Sequence, residues 1–392
     1  MSPTTGALAT RRGWWILASI ASGCLVAASL PPLDYGLLAF VAFVPALVAL
    51  RRTSYSRALT SATLILGTLF LWAFWGGWPQ DSVGSRETLR VLFGFGVLIA
   101  LPFSLYARVR KWSPLTVWAL TAVAVLWEAL ASQYLPATLA WTQHRSPGML
   151  YLASATGWWG VVAAIWATNL FLARVFFLAP ARRALPSVLA CALTLVGAAL
   201  AFPPSPRSET ALQVIVVQTA TLSPSHIAQL VGDRQTELLI LPRIELTLDE
   251  AEALASAAHA PSVVLTREGW SGIWNPSEPN AMANRTTIRG VPVYVPQTLK
   301  APLVHNLRAL GSQVSLAAIP RATAESPYQA LAAWDAAGLA LASASLGQSV
   351  ARADTAGFSR VTGPTGEVLS DIPRRQRDAI GSAAVLVSPT QT

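Results

Sequence analysis

The stretch Pro203-Pro204-Ser205-Pro206 divides the chain into two parts of different character, and this division decides the fold. Before the stretch, long apolar runs alternate with short connections rich in Pro and Arg, which is typical of helical membrane proteins. After it, short β-branched runs alternate with Ala-rich segments, which is typical of a water-soluble α/β domain. The sequence of 392 residues therefore predicts a helical membrane domain over 1–205 and a second, layered domain that follows it.

The overall composition hides this contrast between the two parts. Only 12% of the residues are charged, whereas a soluble globular protein carries about 25%. A net charge of +9 would favour nucleic acid as a partner in a soluble protein, but here the basic residues lie between apolar runs. We therefore expect no nucleic-acid partner. The sequence contains no phosphate-binding loop, dinucleotide-binding glycine motif or cluster of metal ligands, so it predicts no cofactor and no metal.

Seven apolar runs precede the proline-rich stretch, and a membrane-spanning helix needs about 20 such residues. The second run is short, and the sixth is long and contains Gly157. We expect a polytopic bundle of about seven α-helices. The runs cover residues 13–30, 35–50, 58–78, 89–109, 115–134, 149–178 and 185–202.

Basic residues concentrate in every second connection between these runs. By the positive-inside rule the basic connections face the cytoplasm, which puts the N-terminus there. An odd number of helices then puts the second half of the chain outside. Leu30-Pro31-Pro32 does not resemble a small-residue cleavage site, so we expect the first run to be a membrane helix and not a signal peptide. The basic residues are Arg11, Arg12, Arg51, Arg52, Arg57, Arg108, Arg110, Lys111, Arg182 and Arg183.

Two features of the membrane half are candidates for function. Glu128 lies inside the fifth run, and a carboxylate in a membrane helix is costly enough to indicate a functional site. The alternative is that Glu128 faces water or pairs with Arg145. Trp141 lies in the segment 135–148, which contains Pro, Trp and His and has the character of a loop at the membrane interface; the alternative is a plain connection.

The second half alternates predicted strands and helices, beginning with the strand Leu212-Gln213-Val214-Ile215-Val216-Val217-Gln218. It contains no Cys at all, since Cys24 and Cys191 both lie in apolar runs. A disulfide framework is therefore excluded there. We expect an α/β layered domain over 206–372, followed by a basic, flexible tail over 373–392.

The order of these segments resembles the apolipoprotein N-acyltransferases, bacterial inner-membrane enzymes whose outer domain belongs to the nitrilase (carbon–nitrogen hydrolase) superfamily. The resemblance lies in Leu30-Pro31-Pro32, Trp127-Glu128-Ala129-Leu130, Ala140-Trp141-Thr142-Gln143 and Asp354-Thr355-Ala356-Gly357-Phe358-Ser359. It implies a helical bundle in the inner membrane and a shortened, nitrilase-like αββα sandwich outside it. It also implies phospholipid as a ligand, with a lipoprotein or another membrane protein as a partner.

The family's chemistry uses a Cys nucleophile, a Glu base and a Lys that stabilises the oxyanion, because a thiol attacks only as the thiolate. In this chain Arg243 stands where the resemblance implies the base, and Glu245 follows two residues later. Lys300, in Lys300-Ala301-Pro302-Leu303-Val304, resembles the family's Lys. The predicted strand 312–319 is followed by Pro320-Arg321 where the family has its Cys.

No other residue is an evident replacement for the missing Cys. Ser312, Ser315 and Ser326 lie nearby in sequence, and His305 is the only His of that region. Without a nucleophile-elbow motif we favour structural or turn roles for the three serines and a solvent-facing loop position for His305. We also expect a segment of roughly one elbow, one helix and one strand to be missing beside the lost Cys.

Three hypotheses follow from this pattern. In the first, the chain is a degenerate relative that binds lipid, lipoprotein or a membrane partner without catalysis. In the second, the chain is an active acyltransferase or amidase-type hydrolase whose catalytic residues differ from those of the family and include Glu245 and Lys300. In the third, the chain is a subunit that stabilises a membrane complex. Glu128, Trp141 and Arg243 are the candidates for contact with lipid or the interface.

Overall fold

A computed structural model describes the structure of most of the chain. The described residues are 6–31, 33–50, 54–73, 82–109, 113–131, 138–178, 210–219, 223–232, 234–266, 271–274, 282–283, 285–289, 291–295, 316–321, 329–355, 358–372 and 378–387. They divide into two compact units, one helical and one containing the sheets. The helical unit covers Met1–Leu152 and Trp158–Phe202, and the sheet unit covers Ala153–Gly157 and Pro203–Thr392.

The described residues before 179 form α-helices joined by short connections. Two 3-10 helices, Gly36–Phe40 and Leu139–Gln143, lie in these connections. The run predicted over 185–202 lies outside the described residues. The α-helices are α1 (Gly6–Ser29), α2 (Val44–Ala49), α3 (Tyr55–Ala73), α4 (Ser82–Arg108), α5 (Pro114–Ala131), α6 (Pro147–Thr156) and α7 (Trp158–Leu178).

Two predicted helices are not continuous, which corrects the sequence-based expectation. The run over 35–50 is split into the 3-10 helix Gly36–Phe40 and the short α2, because Pro45 lacks an N–H and is tolerated only in the first turn of a helix. The run over 149–178 is interrupted at Gly157, whose φ of 69° is left-handed. Helix α6 therefore ends before this glycine and α7 begins after it.

One helix in the described part of the chain, Trp158–Phe176, is long and apolar enough to cross a membrane, and half of it is buried inside the protein. Such a helix alone is weak evidence, since a core helix of a soluble protein passes the same test. Gly13–Ser29, Phe93–Arg108 and Pro114–Leu130 are apolar but shorter. The apolar part of helix α4 is shorter than the helix itself, because the first half of the helix carries Arg86 and Arg90.

The helical unit has an aromatic core between α2, α4 and α7. The ring of Phe43 stacks on Trp166 with a centroid distance of 4.9 Å, and Phe103 meets Phe43 edge-on at 5.7 Å. All three side chains are almost completely buried. Stacked and edge-on pairs of this kind stabilise a core beyond their buried area alone.

The sheet unit contains two six-stranded sheets with the strand orders β12-β1-β2-β3-β4-β5 and β11-β10-β9-β8-β7-β6. Strands β1, β2 and β3 run parallel, as do β7, β8 and β9, while the other neighbours are antiparallel. The strands are β1 (Thr210–Gln218), β2 (Leu238–Leu246), β3 (Ser262–Thr266), β4 (Ser271–Trp274), β5 (Met282–Ala283), β6 (Arg285–Ile288), β7 (Val291–Tyr294), β8 (Leu316–Arg321), β9 (Ser349–Asp354), β10 (Ser359–Thr362), β11 (Val368–Ile372) and β12 (Ala379–Val387).

The layers follow from the alternation of side chains along buried strands. Val214 and Val216 of β1 pack against residues of the other sheet, whereas Ile215 and Val217 face helices α8 (Pro224–Val231) and α9 (Leu248–Ala258). On the second sheet, the outward residues of β8 pack against α10 (Gln329–Leu346). Two sheets packed face to face, with helices on both outer sides, make a four-layered α/β unit, as expected for a layered domain.

The structure corrects the predicted flexible tail over 373–392 at residues Ala379–Val387, which form strand β12. Strand β12 pairs antiparallel with β1 at every position from Thr210 to Gln218. Ala379, Ala383 and Val385 of β12 belong to the core between the sheets. Small apolar residues alternate along this strand with a period of two, which favours a β-strand. The sequence prediction missed it because of the nearby arginines at 374, 375 and 377, which lie outside the described residues.

Candidate functional site

The position predicted for the lost base lies in an irregular part of β2. Ile240 is opposite Val263 of β3, and Glu245 is opposite Leu265. The step from 240 to 245 is five residues and the step from 263 to 265 is two, so β2 carries three extra residues here. Arg243 lies among them. A bulge of this kind bends the strand and changes its alternation.

The bulge means that β2 does not pair with β3 in one continuous register through Arg243. Ile240 packs into the core between the sheets, whereas Leu246 packs against the helices. An uninterrupted strand would put both even-numbered residues on the same face. The facing of the strand therefore changes between Ile240 and Leu246.

The position predicted for the lost nucleophile is part of a sheet. Pro320 and Arg321 are the last residues of β8 and lie opposite Ala353 and Asp354 of β9. Residues 322–328 alone separate β8 from α10 in the sequence. Lys300, His305, Ser312, Ser315 and Ser326 lie outside the described residues.

A buried polar network joins the ends of β1 and β9, and sequence reasoning missed most of it. The Oε1 atom of Gln218 accepts hydrogen bonds from the backbone N–H of Ser359 at 3.1 Å and from its hydroxyl at 2.9 Å. The Oγ atom of Ser359 also accepts from the backbone N–H of Asp354. Arg352 and Asp354 form an ion pair of 2.5 Å with both side chains fully buried.

This network fits a structural role better than a catalytic one. A charge pair that is closed to solvent cannot approach a substrate without a rearrangement, and breaking it would leave a buried charge uncompensated. The only sequence signal for it was the resemblance over residues 354–359. Arg352 had no such signal, because its location in a strand with every residue buried depends on the covering layers.

In the helical unit, Glu128 is buried and forms the centre of a second polar cluster. Its side chain is in the last turn of α5 and only 1% exposed. One carboxylate oxygen, Oε1, accepts hydrogen bonds from the Thr138 hydroxyl at 2.5 Å and from the backbone N–H of Leu139 at 2.9 Å. The other oxygen, Oε2, is buried and has no hydrogen-bond partner.

These contacts contradict the alternative interpretation, in which Glu128 faces water or pairs with Arg145. Glu128 does not face water, and it does not pair with Arg145. The guanidinium of Arg145 instead lies 3.1 Å from a carboxylate oxygen of Asp34. Thr138 donates its hydroxyl to Glu128 and accepts from the backbone N–H of Ala140, which caps the 3-10 helix Leu139–Gln143. Glu128 therefore holds the start of this 3-10 helix.

The 3-10 helix is also held at its other end. The amide of Gln143 donates to the carbonyl of Gly36 at 2.6 Å. Trp141, between these two attachments, is half-buried and contacts the ring of Phe95 edge-on at 6.1 Å. The 3-10 helix Leu139–Gln143 is thus an ordered element with two anchors.

A comparison with known protein families finds a match to this part of the chain. Residues 22–171 match the model of the apolipoprotein N-acyltransferase N-terminal domain. The matched segment includes Glu128, Trp141 and the 3-10 helix between its two anchors. No curated protein matches the chain.

Proposed function

We propose that this chain, whose residues 22–171 belong to the apolipoprotein N-acyltransferase family, is an integral membrane protein that binds phospholipid without transferring an acyl chain. The observation that carries the proposal is the retained N-terminal domain in a chain with no Cys after Cys191. The sheet unit therefore offers no thiol, and the family's reaction starts from a thiolate. Arg243 in place of a carboxylate base supports the same conclusion.

Exposed apolar side chains on the helices support a membrane location. Leu17, Leu71, Leu115 and Trp118, on α1, α3 and α5, each leave more than 60% of their surface exposed. In water such apolar exposure favours association or aggregation, whereas in a bilayer it is favourable. The proposed location is the bacterial inner membrane, with the N-terminus in the cytoplasm and the sheet unit outside.

The four-layered arrangement of the sheet unit supports its assignment to the nitrilase superfamily. Parallel strands at the centre of both sheets and helices on both outer faces agree with an αββα sandwich. In the proposed degenerate site, Glu245 and Lys300 are relics of the catalytic residues. Trp141 and Arg243 are the residues proposed to contact lipid or the membrane interface, whereas the buried Glu128 holds the 3-10 helix that carries Trp141. A lipoprotein or a membrane protein is the proposed partner.

Transfer of a labelled acyl chain tests the absence of catalysis. The purified chain in lipid nanodiscs is mixed with labelled phospholipid and a diacylated lipopeptide, beside an active member of the family. We expect no transfer above background. Transfer that falls in a Lys300→Ala, Glu245→Ala double variant would contradict the proposal and favour an active enzyme, with Ser315 and His305 as the first candidates for the acyl carrier.

Lipid binding is tested separately, because loss of catalysis alone does not require it. The chain is purified in mild detergent, and the retained phospholipid is measured by mass spectrometry. We expect stoichiometric phospholipid, and we expect Trp141→Ala to retain less of it than Trp118→Ala. Purification free of lipid, with a partner protein retained, would instead favour a subunit of a membrane complex.

A further inference from the structure

A buried histidine closes the 3-10 helix Leu139–Gln143 at its C-terminal end. His144 is the C-cap residue of this helix and is only 3% exposed. Its Nδ1 atom lies 3.1 Å from the carbonyl oxygen of Trp141, and its Nε2 atom lies 3.8 Å from the Oδ1 atom of Asp34. Both ring nitrogens therefore face an oxygen atom that accepts hydrogen bonds.

This arrangement is unfavourable for a neutral ring in either tautomer, because a neutral imidazole has one N–H and one lone pair. With the proton on Nε2, the lone pair of Nδ1 faces the carbonyl oxygen of Trp141. With the proton on Nδ1, the lone pair of Nε2 faces the carboxylate of Asp34. The imidazolium form has a donor on each nitrogen and a charge that the carboxylate attracts. Burial of the ring by itself favours the neutral form, so the charge of Asp34 is what holds the proton.

Asp34 belongs to the other connection at this end of the helical unit, directly before the 3-10 helix Gly36–Phe40. Its backbone is left-handed, with a φ of 59°. Its side chain is 12% exposed, and its Oδ2 atom lies 3.1 Å from the guanidinium of Arg145, which is 60% exposed. Water screens the exposed pair with Arg145, so that pair contributes little. The pair with the buried His144 is screened much less.

The other charged groups of the neighbouring elements lie on α4, α5 and α7. Glu128 of α5 contacts Thr138 and Leu139, at the opposite end of the same 3-10 helix. Helix α4 approaches it through Phe95 and α7 packs along it. Arginine keeps its charge over the range in which histidine titrates, so His144 and the carboxylates are the groups that can respond to pH. The remaining charged residues are Arg86, Glu87, Arg90 and Arg108 of α4 and Arg174 of α7.

We propose that His144, Asp34 and the carbonyl group of Trp141 form a pH-sensitive clasp, which in its protonated form ties the two connections of the helical unit together. Loss of the proton sets a lone pair of His144 against an oxygen atom and loosens the end of the 3-10 helix Leu139–Gln143. The clasp depends only on contacts inside the helical unit. Its consequence for lipid, control of the position of Trp141 by pH, rests on the proposed function.

Histidine NMR signals of the full chain test the protonation directly. The protein is labelled with 13C-histidine, placed in phosphatidylcholine nanodiscs and titrated from about pH 5 to about pH 9. The chain contains four histidines, and His226→Gln, His259→Gln and His305→Gln assign the remaining signal to His144 without changing the clasp. An ordinary histidine titrates near pH 6.5, and we expect a higher midpoint for His144. A midpoint at or below about 6.5 in the wild type would overturn the proposal.

Two variants separate the effects of the charges beside His144. Asp34→Asn removes the carboxylate, so the midpoint should fall to the ordinary value of histidine or below it. Arg145→Gln removes the cation that competes for Asp34 and leaves the carboxylate, so the midpoint should stay the same or rise. A midpoint that Asp34→Asn leaves unchanged, or that falls equally in both variants, would contradict the role of Asp34. The wild-type midpoint decides the question where Asp34→Asn does not fold.

Hydrogen exchange of the amides of residues 139–146 measures the clasp itself. A histidine whose proton the folded state holds stabilises this state fully below the ordinary pKa and loses that contribution as pH rises through the higher, folded value. One pH unit between the two values corresponds to a factor of ten. Protection, corrected for the intrinsic pH dependence of exchange, should therefore fall about tenfold per unit.

The matched control for this exchange measurement is His226→Gln. His226 lies 3.4 Å from Asp378 in the sheet unit, and both side chains are partly exposed. This variant should leave the pH dependence at residues 139–146 unchanged. Constant protection of these residues in the wild type over the whole pH range would overturn the proposal. Neither measurement requires lipid binding by Trp141, so failure of the proposed function would leave both results intact.

Discussion

Asn169 shows how a single side chain joins distant parts of the helical unit. Its amide nitrogen donates to the carbonyl of Ala39 at 2.8 Å and to that of Ile165 at 2.9 Å, and its oxygen accepts from the backbone N–H of Phe43 at 2.8 Å. The side chain is fully buried. It therefore satisfies backbone groups on both sides of the break between the 3-10 helix Gly36–Phe40 and α2, where helical hydrogen bonds are missing.

Replacement of Asn169 by Leu should destabilise the helical unit strongly. The backbone groups of Ala39 and Phe43 would lose their side-chain partner while buried, at a cost of roughly 2–4 kcal/mol. Ser104→Ala is the matched control, because the Ser104 hydroxyl donates to the carbonyl of Ala100 in its own helix and that carbonyl keeps its helical bond. The control should change stability by about 0.5 kcal/mol. Equal Tm values for both variants in nanodiscs would contradict this role.

Gly36 is required where the two connections of the helical unit approach each other. A Cβ atom added to Gly36 would lie 2.4 Å from the backbone carbonyl oxygen of Thr142, whereas one added to Gly13 would meet nothing within 4 Å. We expect Gly36→Ala to displace the 3-10 helix that carries Trp141 and to lower Tm. Gly13→Ala, inside α1, should be neutral or stabilising by about 1 kcal/mol. A Gly36→Ala variant as stable as the wild type would show that glycine is not required at this position.

At the scale of elements, β12 completes the first sheet. It covers one side of β1 along the whole strand and contributes to the core between the sheets. Without β12, β1 would be an exposed edge strand with unpaired backbone groups. The hydroxyl of Thr219 donates to the carboxylate of Asp378 at 2.6 Å, which ties the start of β12 to the end of β1.

Truncation tests whether β12 is part of the fold. A chain that ends at residue 378 should lose the protease resistance of the sheet unit, because β1 would lack its partner and the core would be open. A chain that ends at residue 387 keeps β12 and should resist protease like the full chain. Equal resistance of both truncated chains would show that the sheet unit does not depend on β12.

At the scale of the whole molecule, the described residues of each unit have a hydrophobic core of their own. One is the aromatic core of the helical unit around Phe43, Phe103 and Trp166, and the other lies between the two sheets. The two compact units meet in sequence at the proline-rich stretch, since the helical unit ends at Phe202 and the sheet unit resumes at Pro203. Units with separate cores can unfold separately.

Calorimetry of the full chain in nanodiscs should therefore show two thermal transitions. Asn169→Leu should lower only the transition of the helical unit. Val216→Ala, at a fully buried position between the sheets, should lower only the other one, by about 2 kcal/mol in unfolding free energy. A single transition that both substitutions shift equally would contradict separate unfolding.

The sequence predicted the elements better than their ends and interruptions. Strand β1 was predicted from Leu212 to Gln218 and begins at Thr210, because a buried β-branched run is a strong local signal. The split at Gly157 and the short α2 were missed, since a glycine or proline in an apolar run is compatible with both a continuous and a broken helix. Glu128 was predicted as a functional candidate because a carboxylate in an apolar helix is energetically costly. Its partners Thr138 and Leu139 had no signal in the sequence.

The sequence by itself determined the division at the proline-rich stretch, the apolar character of the first half and the absence of Cys between Cys191 and Thr392. These are properties of composition and of local pattern, which neighbouring residues decide. Only the tertiary structure decided the bulge at Arg243, the place of β12 and the single free oxygen of Glu128. Each depends on contacts between segments far apart in the chain, such as Asn169 with Phe43, and the energy of those contacts comes from burial that no local pattern records.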